Sequence, residues 1–152
     1  MKKIAKLIPS EAEIDTRYLE TLMGYNARRA ALKAIGLFSQ RLVDFNLTPV
    51  DFSVLSLIGH NPGITSRQLC SALNILPPNL VGKISAMEQR RLIDRRPHPQ
   101  DGRAVGLHLS AEGEKFMSQA EQTASQAEGE VTSGLSEAEK KTLLRLLQKV
   151  YR

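Results

Sequence analysis

The chain has 152 residues, 21 Lys and Arg against 16 Asp and Glu, and a formal net charge of +5. A chain of this length buries about 68 to 70% of its unfolded surface without covalent staples, and a single cysteine excludes a disulfide framework and points to a reducing compartment. No apolar run reaches membrane length, and the basic start MKKIAKLIPS is broken by Lys6 and Pro9 with no small-residue cleavage site after it, so a cytoplasmic, nucleoid-associated protein without a signal peptide is expected.

Residues 1 to 12 read as a loose arm. From Glu13 to Asp44 the apolar residues Ile14, Tyr18, Leu22, Tyr25, Leu32, Ile35, Phe38 and Leu42 recur near heptad spacing and predict one long helix. Such a helix would span about 48 Å, more than a compact subunit needs, so part of it should pack on a partner subunit. Gly24 and Gly36 are the places where it could bend, and Arg28, Arg29, Lys33 and Arg41 suit a solvated face. Thr48-Pro49-Val50-Asp51 supplies an N-cap, an N1 proline and an N3 acid for a core helix running to about Gly59.

After the breaker Asn61-Pro62-Gly63, Thr65 and Gln68 form a capping box that starts a helix near Ser66, with Leu69 and Leu73 inward. Cys70 on this helix reads as a small buried hydrophobe rather than a redox switch. Asn74, Ile75 and Leu76 leave a short turn before Pro77 and Pro78, which open a second helix to about Arg90. Leu80, Ile84 and Met87 make its inner stripe, leaving Pro78, Asn79, Gly82, Ser85, Ala86 and Gln89 on the opposite face. An exposed mid-helix glycine costs about 1 kcal/mol relative to alanine, and close approach of another molecule would offset that. Lys83 and Arg90 flank the slim face, where they are expected to reach phosphates, and the Asn79 amide suits an adenine edge.

Ile93 to Pro97 and Ala104 to Leu109 predict two strands joined by the turn His98 to Gly102. Ser110 caps a further helix through about Glu130, with Phe116, Ala120, Ala127 and Val131 along one side and Gly134 as its stop. Ser136 with Glu139 opens a last helix bearing Leu143, Leu144, Leu146, Leu147 and Val150. The expected fold is mainly α with a small β-hairpin wing (α+β): a winged helix-turn-helix at 47–110, between an N-terminal arm and dimerisation helix at 1–46 and C-terminal dimerisation helices at 111–152, all in one compact subunit.

Thr65 to Leu109 holds seven Lys and Arg, Arg67 among them, and three acids, so +4 of the net +5 lies there. Such clustering is the footprint of a polyanion partner. The absence of Phe, Tyr and Trp in this stretch favours duplex DNA over single strands, which are gripped by stacking.

The run MEQRRLIDRRPHPQDGRAVGLHLSAEGEKF resembles the signature of MarR-type transcriptional regulators, and the resemblance covers about Thr48 to Met117. It implies that Arg103 enters the minor groove, that Asp101 holds the wing's conformation and that Arg95 supports it near the backbone. It also implies a homodimer, often released from DNA by a small aromatic or anionic molecule. Arg91 stands where the family has glycine after the recognition helix, so the helix end should either run on or be strained, and Ser110 stands where the family has a threonine cap.

The function expected is that of a sequence-specific regulator of transcription, a homodimeric repressor on a pseudo-palindromic duplex operator, released by a small aromatic or anionic effector. A nucleoid-type protein without strong sequence preference is the alternative. A protein-interaction winged helix fits the basic wing poorly. The candidate DNA contacts are Arg67, Pro78, Asn79, Gly82, Lys83, Ser85, Gln89 and Arg90 on the helices, with Arg95, Asp101 and Arg103 on the wing. His60, His98 and His108 lack ligand spacing, and no Gly-rich phosphate loop, nucleophile elbow or HExxH motif occurs, so no metal, cofactor or catalytic residue is expected. No motif defines the effector's pocket.

Overall fold

The computed structural model describes residues 14–98 and 101–152, with the side chains of residues 98 and 101–103 left outside the description. The N-terminal arm and the tip of the wing turn therefore lie beyond the described residues. Within them, the long N-terminal helix is interrupted: α1 covers Arg17–Glu20 and α2 Met23–Arg41. The break falls at Thr21–Leu22 rather than at either glycine, because Leu22 adopts an extended backbone (φ −93°, ψ 126°). Nearby side chains make the interruption inexpensive: the Asn26 amide donates to the Glu20 and Leu22 carbonyls at 2.8 and 2.9 Å, and the Thr21 hydroxyl donates to Tyr18 O at 2.7 Å.

α2 ends in a 3₁₀ turn at Val43–Phe45, and Asn46 then turns the chain in the left-handed region (φ 48°, ψ 52°), which asparagine tolerates better than most residues. The following helices begin where their caps indicate. In α3, Pro49–His60, the Thr48 hydroxyl accepts from the Asp51 N–H while the Asp51 carboxylate accepts from the Thr48 N–H. α4, Ser66–Leu73, has the same reciprocal pair in Thr65 and Gln68. α5 covers Pro77–Gln89.

β1, Ile93–His98, and β2, Asp101–Leu109, pair antiparallel with Ile93 opposite Leu109, Arg95 opposite Leu107 and Pro97 opposite Val105. Both strands run further toward the turn than the alternation predicted. Ile64 adds a single bridge to Leu107, with Gly63 N donating to Leu107 O and Leu107 N donating to Ile64 O, both at 2.9 Å, so the wing is tied back to the loop before α4.

α6, Ala111–Val131, starts on Ser110, whose hydroxyl accepts from Gly113 N–H and donates to Arg91 O. A Cβ on Gly113 would lie 1.9 Å from Leu92 O, so only glycine lets the first turn of α6 pass this close to the end of α5. α6 stops at Thr132, ahead of Gly134. α7, Glu137–Tyr151, opens on the Ser136 and Glu139 capping box.

The core gathers Leu42, Val54, Leu55, Ile58, Leu69, Leu80, Ile84 and Leu107, with Met117 and Ala120 from α6. α2 lies against α6, tied by Arg41 to Glu130 at 2.6 Å, and its Phe38 meets Phe52 of α3 edge-on at 5.2 Å. None of the α7 residues is buried.

Candidate nucleic-acid interface

α5 divides by face. Leu80, Ile84 and Met87 are buried, at 3% exposure or less, on a helix that packs against α4 and β1. Pro78, Asn79, Gly82, Ala86 and Gln89 are exposed, and Ser85 is half-buried. A Cβ added to Gly82 would find nothing within 4 Å, so packing inside the subunit does not explain this glycine. Two exposed apolar residues were not singled out from sequence: Leu76, the N-cap residue, and Val81, one position off the buried stripe, at 69% and 64% exposure. Their place beside the slim face was the available signal.

Arg67 is exposed near the start of α4 and shares a cleft of about 280 Å³ with Cys70, Val81 and Arg95, so α4, α5 and β1 converge on one surface. Cys70 is half-buried in this cleft rather than sealed in the core. Arg95 grips Glu88 of α5 with both arms of its guanidinium, Nε to Oε1 at 2.6 Å and Nη2 to Oε2 at 2.8 Å. These bonds hold the Glu88 carboxyl below its ordinary range and brace the wing against α5.

Lys83 and Arg90 do not stand free at the rim as expected. Lys83 Nζ donates to Asp51 Oδ1 at 2.8 Å, and both side chains are largely covered, at 28% and 20% exposure. Burial pushes the Asp51 carboxyl up, but the hydrogen bonds from Lys83 and Thr48, with the Lys83 charge, outweigh it and leave the group below its ordinary value. Arg90 donates to Phe45 O at 2.8 Å and Asn46 O at 3.1 Å, and lies 5.2 Å over the Phe116 ring. The reason is tertiary: the edge of α5 faces the connector from α2 to α3, which presents the Phe45 and Asn46 carbonyls, and the first turn of α3, which presents the Asp51 carboxylate.

The end of α5 resolves the alternative posed by Arg91. The helix stops at Gln89 and Arg91 takes the left-handed conformation at φ 58°. Leu92 N donates to Met87 O at 3.0 Å and Arg91 N to Glu88 O at 2.8 Å, the paired bonds of a Schellman ending that glycine usually supplies.

On the wing, Arg96 pairs with Asp94 at 3.3 Å. Asp101 and Arg103 belong to β2, and the roles expected of their side chains lie outside the described residues. Among the described residues no group of three His, Cys, Asp or Glu could hold a metal, and no helix is long and apolar enough to cross a membrane.

A family model described as MarR family matches residues 45–104. A transcriptional repressor, CouR, solved bound to a 23-mer DNA duplex, superposes with a TM-score of 0.85 at 33% identity, covering 92% of this chain and 99% of that one. A putative transcriptional regulatory protein for the hcr operon of Thauera aromatica is 28% identical over 131 residues, 86% of this chain and 79% of its own length. BpsR of Bordetella bronchiseptica, whose DNA binding is regulated by 6-hydroxynicotinic acid, matches with a TM-score of 0.77 at 26% identity, covering 85% of this chain and 92% of that one. The relatives are regulators rather than enzymes.

Proposed function

Because the chain belongs to the MarR family of transcriptional regulators, we propose that it binds a pseudo-palindromic duplex operator as a homodimer and represses transcription until a small aromatic or anionic effector releases it. The observation that carries the reading is the slim, open face of α5, with Pro78, Asn79 and Gly82 exposed on a helix whose opposite stripe is buried. A major groove admits such a helix, and CouR has been solved on a duplex. Asn79 reads a base edge, Ser85 and Gln89 lie further along the same face, and Arg67 neutralises phosphate beside it. Arg95 steadies the wing, Asp101 shapes its tip and Arg103 reaches into the adjacent minor groove. The effector class follows the regulation of BpsR by 6-hydroxynicotinic acid. The protein then acts at the nucleoid, in the cytoplasm.

Selection of bound duplexes from random sequence tests the proposal. Recovered sites should be two-fold symmetric, with half-site centres about 34 to 36 Å apart, and should be preferred over bulk DNA by about a thousandfold or more. Binding without preference would make the protein a nucleoid-type binder instead. Asn79→Ala should lose about 1 to 3 kcal/mol at particular base pairs, and an equal loss on every sequence would assign Asn79 to phosphate.

A further inference from the structure

We infer that Lys83 and Arg90 are positioning residues, which set the seating of α5 on the connector after α2 and on the first turn of α3 rather than contact phosphate. The inference rests on the reading of α5 as the DNA-reading helix. The two cations stand about two turns apart on one edge of α5, and both reach the same short segment. Lys83 is tied to Asp51, whose carboxylate also accepts from Thr48 N–H at 3.0 Å and so belongs to the cap of α3. Arg90 spans the Phe45 and Asn46 carbonyls at the left-handed turn that ends the 3₁₀ segment. Its guanidinium also lies over Phe116 of α6, which meets Phe45 edge-on at 5.4 Å.

What lies between the two ties gives them their weight. Between them runs an open cleft of about 520 Å³, bounded by Gly82 and Ala86 on α5 and by Ser39, Leu42 and Leu47 across from it. Along this edge, polar ties stand in for side-chain packing. Turning either cation toward DNA would strip Asp51 or the two carbonyls of a partner, so a phosphate contact would cost the subunit hydrogen bonds to a charged group.

Salt titrations on a labelled duplex, enriched from random sequence by the wild-type protein, separate the two roles. Removing one phosphate contact lowers the slope of log K against log [salt] by about 0.9, whereas a misplaced helix loses affinity with most of its phosphate contacts intact. Lys83→Met, Asp51→Asn and Arg90→Lys should each weaken binding about tenfold with the slope unchanged, and the Asp51→Asn/Lys83→Met double variant should be no weaker than the worse single. Arg90→Lys keeps the charge but not the two-armed grip, so its loss would be unexpected of a phosphate contact. Tighter binding by Asp51→Asn, a slope lower by about one in Lys83→Met, or unchanged affinity throughout would overturn the inference. Melting curves and sedimentation confirm each fold, and the Asp51 and Lys83 cycle carries the test alone if Arg90→Lys does not fold. A wild-type protein that binds no duplex would instead fail the reading of α5 itself, before any variant is compared.

Discussion

Arg91 carries backbone strain that its charge does nothing to relieve. At φ 58° it occupies a conformation in which an L side chain crowds the following carbonyl, and glycine there would lose only part of the gain to its freer unfolded state. Arg91→Gly should therefore raise stability by about 0.5 to 1 kcal/mol and Tm by about 1 to 4 °C. Arg91→Ala, which removes the charge but keeps a Cβ, should give no such rise in the same calorimetric scan. Asp51 makes a pH-dependent contribution of definite sign. Its carboxyl lies below its ordinary value of 3.8 in the folded chain, so the stability it adds is present above that pH and is lost as pH falls through the lower folded value. Urea melts should show Asp51→Asn less stable than wild type near neutral pH, with the gap closing below about pH 4. An equal gap at both ends of the range would mean that ionisation of Asp51 is not involved.

Two of the helical glycines of this chain have opposite consequences when changed. In α5, a Cβ on Gly82 meets nothing within 4 Å, so Gly82→Ala should stabilise the helix by up to about 1 kcal/mol while weakening duplex binding. An alanine variant both more stable and equally tight would show that no partner approaches there. In α6, the same change at Gly113 drives a Cβ to 1.9 Å from Leu92 O. Gly113→Ala should cost about 1 to 3 kcal/mol or more, read as a lower urea midpoint, and would damage binding only through the fold. The residue type is the same in the two cases. What differs is the neighbour: open space for α5, the backbone at the end of α5 for α6.

At the scale of the whole molecule, α7 is an amphipathic helix without a core to face. Leu144 and Val150 are 54% and 63% exposed, and Tyr18, Leu19 and Leu22 at the other end of the chain are also uncovered. An exposed apolar surface of this kind is a cost in water that a second copy removes. The wild-type protein should sediment as a dimer, and Leu144→Asp with Leu147→Asp should give a monomer of similar helix content. That monomer should bind the selected duplex far more weakly, since it engages one half-site at a time. A monomer that binds as tightly as wild type would remove two-fold symmetry from the mechanism.

By itself the sequence determined the features whose partners lie within a few residues. The capping boxes at Thr48, Thr65 and Ser136 close over three residues, and the helix starts follow from them. The buried stripe of α5 and the wing strands follow from spacing and alternation along one segment. Tertiary structure alone decided where long cations reach: the acceptors of Lys83 and Arg90 are 32 and 44 to 45 residues away in the chain, beyond any local pattern. It also decided the strained end at Arg91, held because Leu92 is buried in the core, whereas the break at Thr21–Leu22 is a local event that apolar spacing does not register, with the Asn26 amide donating to the Glu20 and Leu22 carbonyls. Local hydrogen bonding is written in neighbouring residues, whereas the environment of a side chain is set by segments that meet only once the chain has folded.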